Sequence, residues 1–415
     1  MAFTRPIFIL AACTALLSSV HAADIVISAK GASAGKQSIS LAAMTSDQSN
    51  EAREFLQVLK GDLIRSGWFA PVDTPSASVV LNGAVRSSGG GVSSGATVKW
   101  LNGMRQFSWQ QSVPSAQIRD AAHDLCDQIV TTVTGNKSMA SSKILLVGRR
   151  GRNPEVYQCD ADGARLKQLT SDNKLCLSPT WIPNRNAFLY TSWLNGTPAV
   201  YRVDLNTNRR EPLANYPGMN NGAVVAPSGS IMALVLSRSG GVDLYVQNLS
   251  TRQLTRLTSS NKINESSPTW SPDGNDLAYI SDEGRIPRLY VMDAHSRQGR
   301  RAIYHSAITE CAAPEWGDNG LIAFCGRSGG RYRIYTINPA GDARTTVPTL
   351  VSPNDGADYE DPSWAPDERH IVCTRTANFK RSLVVLDTMG DPPQPLITVS
   401  GDWYLPHWSK NRPTR

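Results

Sequence analysis

The chain has 415 residues, which is long enough for two or three domains. Its apolar content of 40%, with 32 glycines and 25 prolines, is typical of a turn-rich globular protein and excludes a disordered one. The formal net charge is +7, but the basic residues are scattered and form no long run, which favours an ordinary solvated surface over a nucleic-acid interface.

Residues 1–23 predict a signal peptide. Arg5 supplies the positive end, "PIFILAACTALLSSV" the apolar segment, and small residues a cleavage site near Ala22 or Ala23. The alternative is a lipoprotein signal in which "LAAC" carries a lipid on Cys13. Both interpretations predict export. The rest of the chain has no apolar run of about 18 residues, so no transmembrane helix is predicted.

Residues 24–138 predict a small α/β domain. Phe55, Leu59 and Leu63 recur every four residues, which indicates one face of a helix that Gly67 ends. The domain is predicted to contain helices within 49–73 and 114–135, strands within 79–87, 96–103 and 104–111, a loop at 88–95, and a linker at 135–142.

Residues 139–415 contain a repeat that is marked by Trp. The stretch "SSPTWSPDGNDLAYI" (266–280) sets Trp270 two residues after a Pro and just before a Pro-Asp-Gly turn. The same setting recurs at intervals of 44 to 48 residues, at Trp181, Trp316, Trp364 and Trp408, with Val225 in a worn copy. Such a period indicates a repeat architecture.

A second marker recurs in step with the first. An apolar strand carries a Tyr that is followed three residues later by Asp or Asn. The pairs are Tyr157 and Asp160, Tyr201 and Asp204, Tyr245 and Asn248, Tyr290 and Asp293, and Tyr335 and Asn338, with Val384 and Asp387 in the last copy. Two markers with one period of about 45 residues predict the blades of a β-propeller.

Each unit reads as four short strands, which are 267–271, 276–281, 288–293 and 300–305 in the unit of Trp270. Pro268 and Trp270 are two apart and share one face of the inner strand, where the Trp can fill the gap between blades. Asp273 and Gly274 supply the next turn.

The number of units predicts how the ring closes. The first unit has three strands, 143–148, 155–160 and 165–170, and no Trp strand before them. The last Trp strand, around Trp408, has no unit after it. We therefore expect the C-terminal strand to complete the first blade, which gives six blades without a loose edge. The predicted fold is an α/β N-terminal domain followed by an all-β six-bladed propeller.

Six cysteines follow the signal segment, and none forms a C-x-x-C motif. Cys311 and Cys325 flank the hairpin "CAAPEWGDNGLIAFC", whose turn is predicted near Asp318, so they would lie roughly opposite each other. A disulfide is one expectation in an oxidising compartment. Two buried thiols are the alternative.

No catalytic residue, metal site or cofactor is predicted. The G-x-S-x-G patterns around Ser33 and Ser93 lie in Gly/Ser-rich segments without the strand-turn-helix context of a hydrolase. The six histidines are dispersed without a metal-ligand pair. His123 is interpreted as a helix-packing or capping residue.

The segments "SSPTWSPDGNDLAYISDEG", "PRLYVMDA", "FLQVLKGDLIRSGWF" and "IRDAAHDLCDQIVTTVTG" resemble the TolB family of periplasmic proteins. The resemblance extends over nearly the whole mature chain. It implies a non-enzymatic adaptor of the Tol-Pal system that supports outer-membrane integrity and constriction during cell division. Such an adaptor, a monomer within its complex, binds the peptidoglycan-associated lipoprotein Pal at the propeller mouth. Its mature N-terminal segment, here about Asp24 to Ser28, signals to the inner-membrane protein TolA.

The resemblance also directs the partner site to the loops that lead into the inner strands. They mix aromatic and hydrogen-bonding groups, as protein interfaces do, and the predicted site residues are Asn220, Asn221, Glu265, Ser266, Tyr359, Glu360 and Tyr404. We expect that replacing Asn220, Glu265 and Tyr404 together weakens binding without lowering the melting temperature.

The alternative function is a ligand-binding or peptidase-associated propeller of the WD40-like kind. A peptidase would need a hydrolase domain as well, and the chain ends at Arg415, just past the closing strand.

Overall fold

The computed structural model describes residues 35–88, 90–259, 262–299, 301–303, 305–341 and 346–410. The predicted signal peptide, the segment Asp24 to Ser28 and Ser33 lie outside the described residues. Within the described ranges, neither helix has the length and apolar character that a bilayer-spanning helix needs.

The N-terminal domain is a five-stranded sheet with two helices. In chain order its elements are β1 (Gln37–Ser46), α1 (Asn50–Arg65), β2 (Phe69–Val72), β3 (Val79–Ser88), β4 (Gly91–Trp100), β5 (Arg105–Pro114), a 3-10 turn (Ser115–Gln117) and α2 (Ile118–Thr134). The strand order is β2-β1-β3-β4-β5, with β1 parallel to both of its neighbours. Phe55 and Leu59 of α1 pack with Leu125 and Ile129 of α2 in one buried cluster. The α/β prediction is confirmed.

Two parts of this sheet differ from the sequence-based prediction. The strands β1 and β2 were not predicted, and the predicted loop 88–95 lies largely in β4. The β4 segment is rich in Gly and Ser, but Val92, Ser94 and Ala96 alternate as buried residues, as a strand with one covered face requires. Ser93 therefore lies inside a strand, outside any strand-turn-helix setting.

The propeller begins with β6 (Lys143–Arg149), β7 (Glu155–Asp160) and β8 (Lys167–Gln168). Five four-stranded blades follow, which we number 1 to 5 in chain order. Blade 1 has β9 (Cys176–Trp181), β10 (Ala187–Ser192), β11 (Ala199–Asp204) and β12 (Arg209–Ala214). Blade 2 has β13 (Asn220–Val225), β14 (Ile231–Leu236), β15 (Asp243–Asn248) and β16 (Leu254–Arg256).

Blade 3 has β17 (Glu265–Trp270), β18 (Asp276–Ser281), β19 (Arg288–Asp293) and β20 (Arg301–Ile303). Blade 4 has β21 (Cys311–Trp316), β22 (Ile322–Ser328), β23 (Arg331–Ile337) and β24 (Thr349–Leu350). Blade 5 has β25 (Asp358–Trp364), β26 (His370–Ala377), β27 (Lys380–Asp387) and β28 (Gln394–Pro395). The last strand is β29 (Asp402–Trp408).

The last strand closes the ring, as predicted. The sixth sheet has the order β29-β6-β7-β8, and we call it blade 6. β29 runs antiparallel to β6, with Asp402 opposite Arg149 and Trp408 opposite Ile144. The prediction of a six-bladed propeller is confirmed, and closure gives blade 6 its inner strand, so that all six blades have four strands.

The repeated Pro and Trp shape each inner strand. The residue before the Pro has a φ between 44° and 52° in five blades, at Ser178, Ser267, Ala313, Asp361 and Leu405. In blade 2 Ala223 replaces the Pro, and Gly222 before it has a φ of 60°. The strand pairing shifts at this point, so each inner strand carries a β-bulge. Trp270 then packs against blade 2, and its Nε1 donates to the Val224 carbonyl at 3.1 Å. The predicted role of the Trp between blades is confirmed.

The bulge also decides the state of Cys311 and Cys325, and the expected disulfide is wrong. Cys311 lies opposite Gly326, and Cys325 lies opposite Ala312, one residue away from the predicted register. The two thiols therefore point to opposite faces of the sheet. Cys311 packs against blade 3 and Cys325 against blade 5, and both are free and buried. The alternative of two buried thiols is the one that the structure has.

Candidate functional site

The propeller has two structurally different faces because all six inner strands run in the same direction through it. We call the face where the inner strands begin the mouth face; it also carries the turns between the second and third strands of each blade. The opposite one is the base face, and it contacts the N-terminal domain. There Lys137 pairs with Glu368, and the guanidinium of Arg369 lies 4.6 Å from the centre of the Trp68 ring.

At the mouth, two successive residues of each inner strand have different surroundings. The first, the interblade position, is buried in every blade, and the six are Cys176, Asn220, Glu265, Cys311, Tyr359 and Trp403. The second, which we call the mouth position, is exposed at Ser266, half-buried at Leu177, Asn221, Ala312 and Glu360, and buried at Tyr404. This alternation follows from the period of two residues in a strand.

The predicted site residues therefore divide into two groups. Asn220, Glu265 and Tyr359 lie at interblade positions, with 0%, 1% and 1% of their surface exposed. Asn221 and Glu360 are half-buried, and Ser266 is exposed. Tyr404 has a mouth position but is 7% exposed, because the guanidinium of Arg381 covers its ring at 3.5 Å. The sequence signal for this division was the strand alternation itself.

The interblade residues organise the loops around them. The Asn220 Oδ1 accepts from the Tyr216 N–H at 2.9 Å, and its Nδ2 donates to the carbonyls of Tyr216 at 2.7 Å and Pro198 at 3.1 Å. The Thr258 hydroxyl donates to the Glu265 carboxylate at 3.0 Å. Removing such buried partners leaves unsatisfied groups. The expectation that Asn220 and Glu265 can be replaced without loss of stability is therefore corrected.

Below the mouth, the channel narrows to a cavity of about 180 Å³ lined by the bulge residues and the residues just before each Trp. Several of the latter connect neighbouring blades: the Thr269 Oγ1 accepts from the Trp316 N–H at 3.1 Å, and the His407 Nδ1 from the Trp181 N–H at 3.3 Å. Burial raises the pKa of Asp361 to about 6 and that of Glu315 to about 7. Burial lowers the pKa of His407 to about 3, so this imidazole is neutral.

The junction between the domains holds a charged cluster that the sequence did not reveal. The His123 Nδ1 of α2 lies 2.6 Å from the Asp62 carboxylate of α1, and its Nε2 lies 3.6 Å from that of Asp160 in blade 6. Lys143 and Arg165 each approach Asp160 to 2.6 Å. His123 is thus more than a packing or capping residue, because it connects a helix pair to the propeller.

A second cluster lies on blade 5. The His370 Nδ1 is 2.6 Å from the Asp367 carboxylate, and its Nε2 is 3.5 Å from that of Asp387. Arg369 also binds Asp387, at 2.6 Å, while it stacks on Trp68 of the N-terminal domain. Asp160 and Asp387 occupy the same position of the repeat, so the repeat's acidic marker is used for domain contact in the two blades that meet the N-terminal domain.

His123, Asp160 and Asp162 bring ligand atoms within 4.8 Å of one another, which raises the question of a metal. Arg119 pairs with Asp162, and Lys143 with Asp160, so cationic side chains already neutralise these carboxylates. The arrangement fits an ion-pair network better than a cation site.

The two histidines predict a pH dependence. Burial alone would lower the pKa of His123, but the carboxylates of Asp160 and Asp62 outweigh it and raise the pKa to about 9. The pKa of His370 also rises to about 9, because Asp367 and Asp387 outweigh burial. Both pKa values are about 6.5 in the unfolded chain. The stabilisation is therefore complete below pH 6.5 and is lost as the pH rises through 9.

We expect the thermal midpoint of unfolding to fall between pH 7 and pH 10. A double variant, His123→Gln with His370→Gln, is the control, since its midpoint should start lower and fall less over the same range. Calorimetry that gives parallel pH curves for the two proteins would contradict the assignment.

Known proteins share this architecture. Residues 130–412 match the protein family described as the TolB beta propeller domain. A TolB homolog from Chlorobium luteolum is 28% identical over 342 residues, which cover 82% of this chain and 77% of the relative. Another from Chlorobium chlorochromatii is 29% identical over 217 residues, covering 51% of this chain and 48% of the relative.

Solved structures agree on the fold. The crystal structure of TolB from Acinetobacter baumannii matches with a TM-score of 0.79 at 22% identity, over 90% of this chain and 96% of that one. The structure of a putative TolB from Agrobacterium tumefaciens matches with a TM-score of 0.51 at 16% identity, over 66% of this chain and 98% of that one. At these identities the likeness shows the fold.

Proposed function

Because this chain belongs to the TolB β-propeller family, we propose that it is a periplasmic adaptor of the Tol-Pal envelope system that acts by binding proteins and not as an enzyme. In this role it supports outer-membrane integrity and constriction during cell division. The signal peptide predicted in residues 1–23 would deliver it to the periplasm.

We propose that the mouth face binds a Pal-like peptidoglycan-associated lipoprotein. The observation that carries this proposal is the set of mouth positions at the opening of the channel, where Asn221, Ser266 and Glu360 supply polar groups and Leu177 and Ala312 supply apolar ones. Ser266 is exposed, and Asn221 and Glu360 are partly accessible, so these three residues can contact a partner. The buried residues Asn220, Glu265 and Tyr359 hold the ring in place.

A TolA-like inner-membrane protein is the second proposed partner, and it binds the mature N-terminal segment, about Asp24 to Ser28. This part of the proposal is supported by family membership. The chain acts as a monomer within the complex.

A triple variant tests the mouth. Asn221→Ala, Ser266→Ala and Glu360→Ala together should weaken binding of the soluble Pal-like domain at least tenfold, about 1.4 kcal/mol, because they remove polar contacts at the interface. The melting temperature should fall little, since none of the three side chains is fully buried, although Asn221→Ala removes the hydrogen bond from the Thr191 hydroxyl to the Asn221 Oδ1 at 3.1 Å. Titration calorimetry measures the affinity, and Arg185→Ala, an exposed change on the base face, is the matched control.

Asn220→Ala gives the complementary result. It should lower the melting temperature, because four hydrogen bonds of a buried side chain are lost. Unchanged binding by the triple variant would place the partner site elsewhere.

A further inference from the structure

One turn on the mouth face contains Phe379, a bulky residue in a backbone conformation that bulky side chains avoid. Asn378 and Phe379 form the two-residue turn between β26 and β27, where Ala377 lies opposite Lys380. Their φ angles are 50° and 61°, in the left-handed region that bulky side chains avoid. The Phe379 side chain is fully exposed, at 104% of its reference surface.

The neighbouring blade shows what this turn ordinarily uses. In blade 4 the same turn joins β22 and β23, with Ser328 opposite Arg331, and its two residues are Gly329 and Gly330. Both glycines have positive φ angles, 61° and 79°, without the strain that a side chain adds there. Folding therefore gives no reason for Phe379, which gains neither burial nor a relaxed backbone.

Cationic side chains lie on the mouth face in blade 5, which holds Phe379, and in blade 6. Arg381 and Arg149 share the Asp402 carboxylate, at 3.0 and 3.3 Å, so the turn of blade 5 is continuous with blade 6. Arg150 and Arg152 of blade 6 and Lys380 beside the Phe are exposed. We define the rim patch as Arg149, Arg150, Arg152, Phe379, Lys380 and Arg381.

The rim patch has an excess of positive charge. Of its five cations, Arg149 and Arg381 share the carboxylate of Asp402, and Arg150, Arg152 and Lys380 are exposed. The adjacent pairs Arg331–Asp358, at 3.0 Å, and Arg375–Asp355, at 2.8 Å, are balanced. A partner with an acidic surface is therefore favoured here.

We propose that the rim patch is the specificity-determining part of the mouth interface, in which Phe379 inserts into an apolar pocket on an acidic surface of the partner. Aromatic residues, Phe among them, and Arg are enriched at protein interfaces, and the rim patch offers both. Arg381 connects the anchor to the mouth, because it stacks on Tyr404 while it binds Asp402. This inference rests on the proposed function and adds the chemistry of the partner's surface.

Phe379→Gly separates a binding role from a structural one. Glycine relaxes the left-handed turn, so the melting temperature should rise or stay the same, while affinity for the soluble Pal-like domain of the source organism falls at least tenfold. Met389→Ala, which removes a half-exposed apolar side chain from the base face of the same blade, should change neither quantity. Equal affinity of Phe379→Gly and the parent would overturn the inference.

Charge reversal tests the acidic partner surface. The variant with Arg150→Glu and Lys380→Glu should bind at least tenfold more weakly in dilute salt, and its affinity should depend less on salt than that of the parent. Unchanged or tighter binding would contradict an acidic surface.

If Phe379→Gly binds normally and the mouth triple variant does not, only the rim patch is rejected. If the parent itself does not bind, the proposed function is rejected with it.

Discussion

A chain that lacks residues 402–415 is expected not to form the propeller. β29 is the inner strand of blade 6, and its loss would leave β6 without its partner and expose the facing side of blade 5. An opened ring has two unpaired edges, which favour aggregation over a stable array. Circular dichroism and size-exclusion chromatography should show an unfolded or aggregated protein, and a soluble truncated chain with the parent's melting temperature would contradict ring closure.

Trp408→Ala should reproduce much of this effect with a single change. The side chain is 0% exposed, and its Nε1 donates to the Ser142 hydroxyl at 2.7 Å. Truncating such a buried aromatic costs about 3–5 kcal/mol, a large share of the 5–15 kcal/mol that is usual for a domain. Trp408→Phe is the matched control, and it should lose only about 1 kcal/mol because the hydrogen bond goes while most of the packing remains. Urea denaturation gives both values.

Asp160→Ala is expected to destabilise the domain junction by about 1–3 kcal/mol, since it removes a buried acceptor that several cations share. The loss is partial because Asp62 still pairs with His123 and Asp120 still pairs with Arg165. His123 lies 3.6 Å from this carboxylate, and Lys143 and Arg165 lie 2.6 Å from it. The pKa of Asp160 is lowered well below its ordinary value because these three cations outweigh burial. We expect a lower urea midpoint and faster proteolysis of the 135–142 connection.

Asp204→Ala is the control for this prediction. Asp204 has the same repeat position in blade 1, but its Oδ1 accepts only from groups of its own turn, which are the Asn206 N–H and the N–H and hydroxyl of Thr207. Its replacement should cost less stability than that of Asp160, because the Asp204 carboxylate is exposed to solvent. If Asp160→Ala and Asp204→Ala lower the free energy of unfolding equally, the ion pairs of Asp160 at the domain junction add no stability beyond that of the turn.

The propeller could be predicted because its signals are local and repeated. Where a unit has the Pro, Trp and Asp, they lie at a bulge, an interblade contact and a turn, all formed within a few residues of them, and the worn copy in blade 2 keeps the bulge. The closure of the ring could be predicted by counting strands. The first unit lacks a Trp strand, and the last Trp strand has no unit of its own. These features need no knowledge of distant contacts.

At several points the register of strand pairing could not be predicted from the sequence. The left-handed residue before Pro314 shifts β21 against β22, and one residue of shift moves Cys311 and Cys325 to opposite faces. Because each inner strand contains this bulge, the sequence did not indicate which residues at the start of the strand are buried and which are accessible. β1 and β2 were missed because their pairing is parallel and links distant segments.

The junction was unpredictable for another reason. His123 and Asp160 belong to different domains, and only the docking of the domains brings them together. Phe379 was visible in the sequence as one aromatic residue among many. Its significance depends on a backbone conformation and on the glycine pair that blade 4 has in the same place.

The central claim is that the lipoprotein partner binds the mouth face. Hydrogen–deuterium exchange of the full chain, with and without the soluble Pal-like domain, measures this directly. We expect slower exchange around Asn221, Ser266, Glu360 and Phe379, and unchanged exchange in base-face turns such as 182–186 and 365–369. Protection confined to those base-face turns, with free exchange at the mouth, would contradict the account.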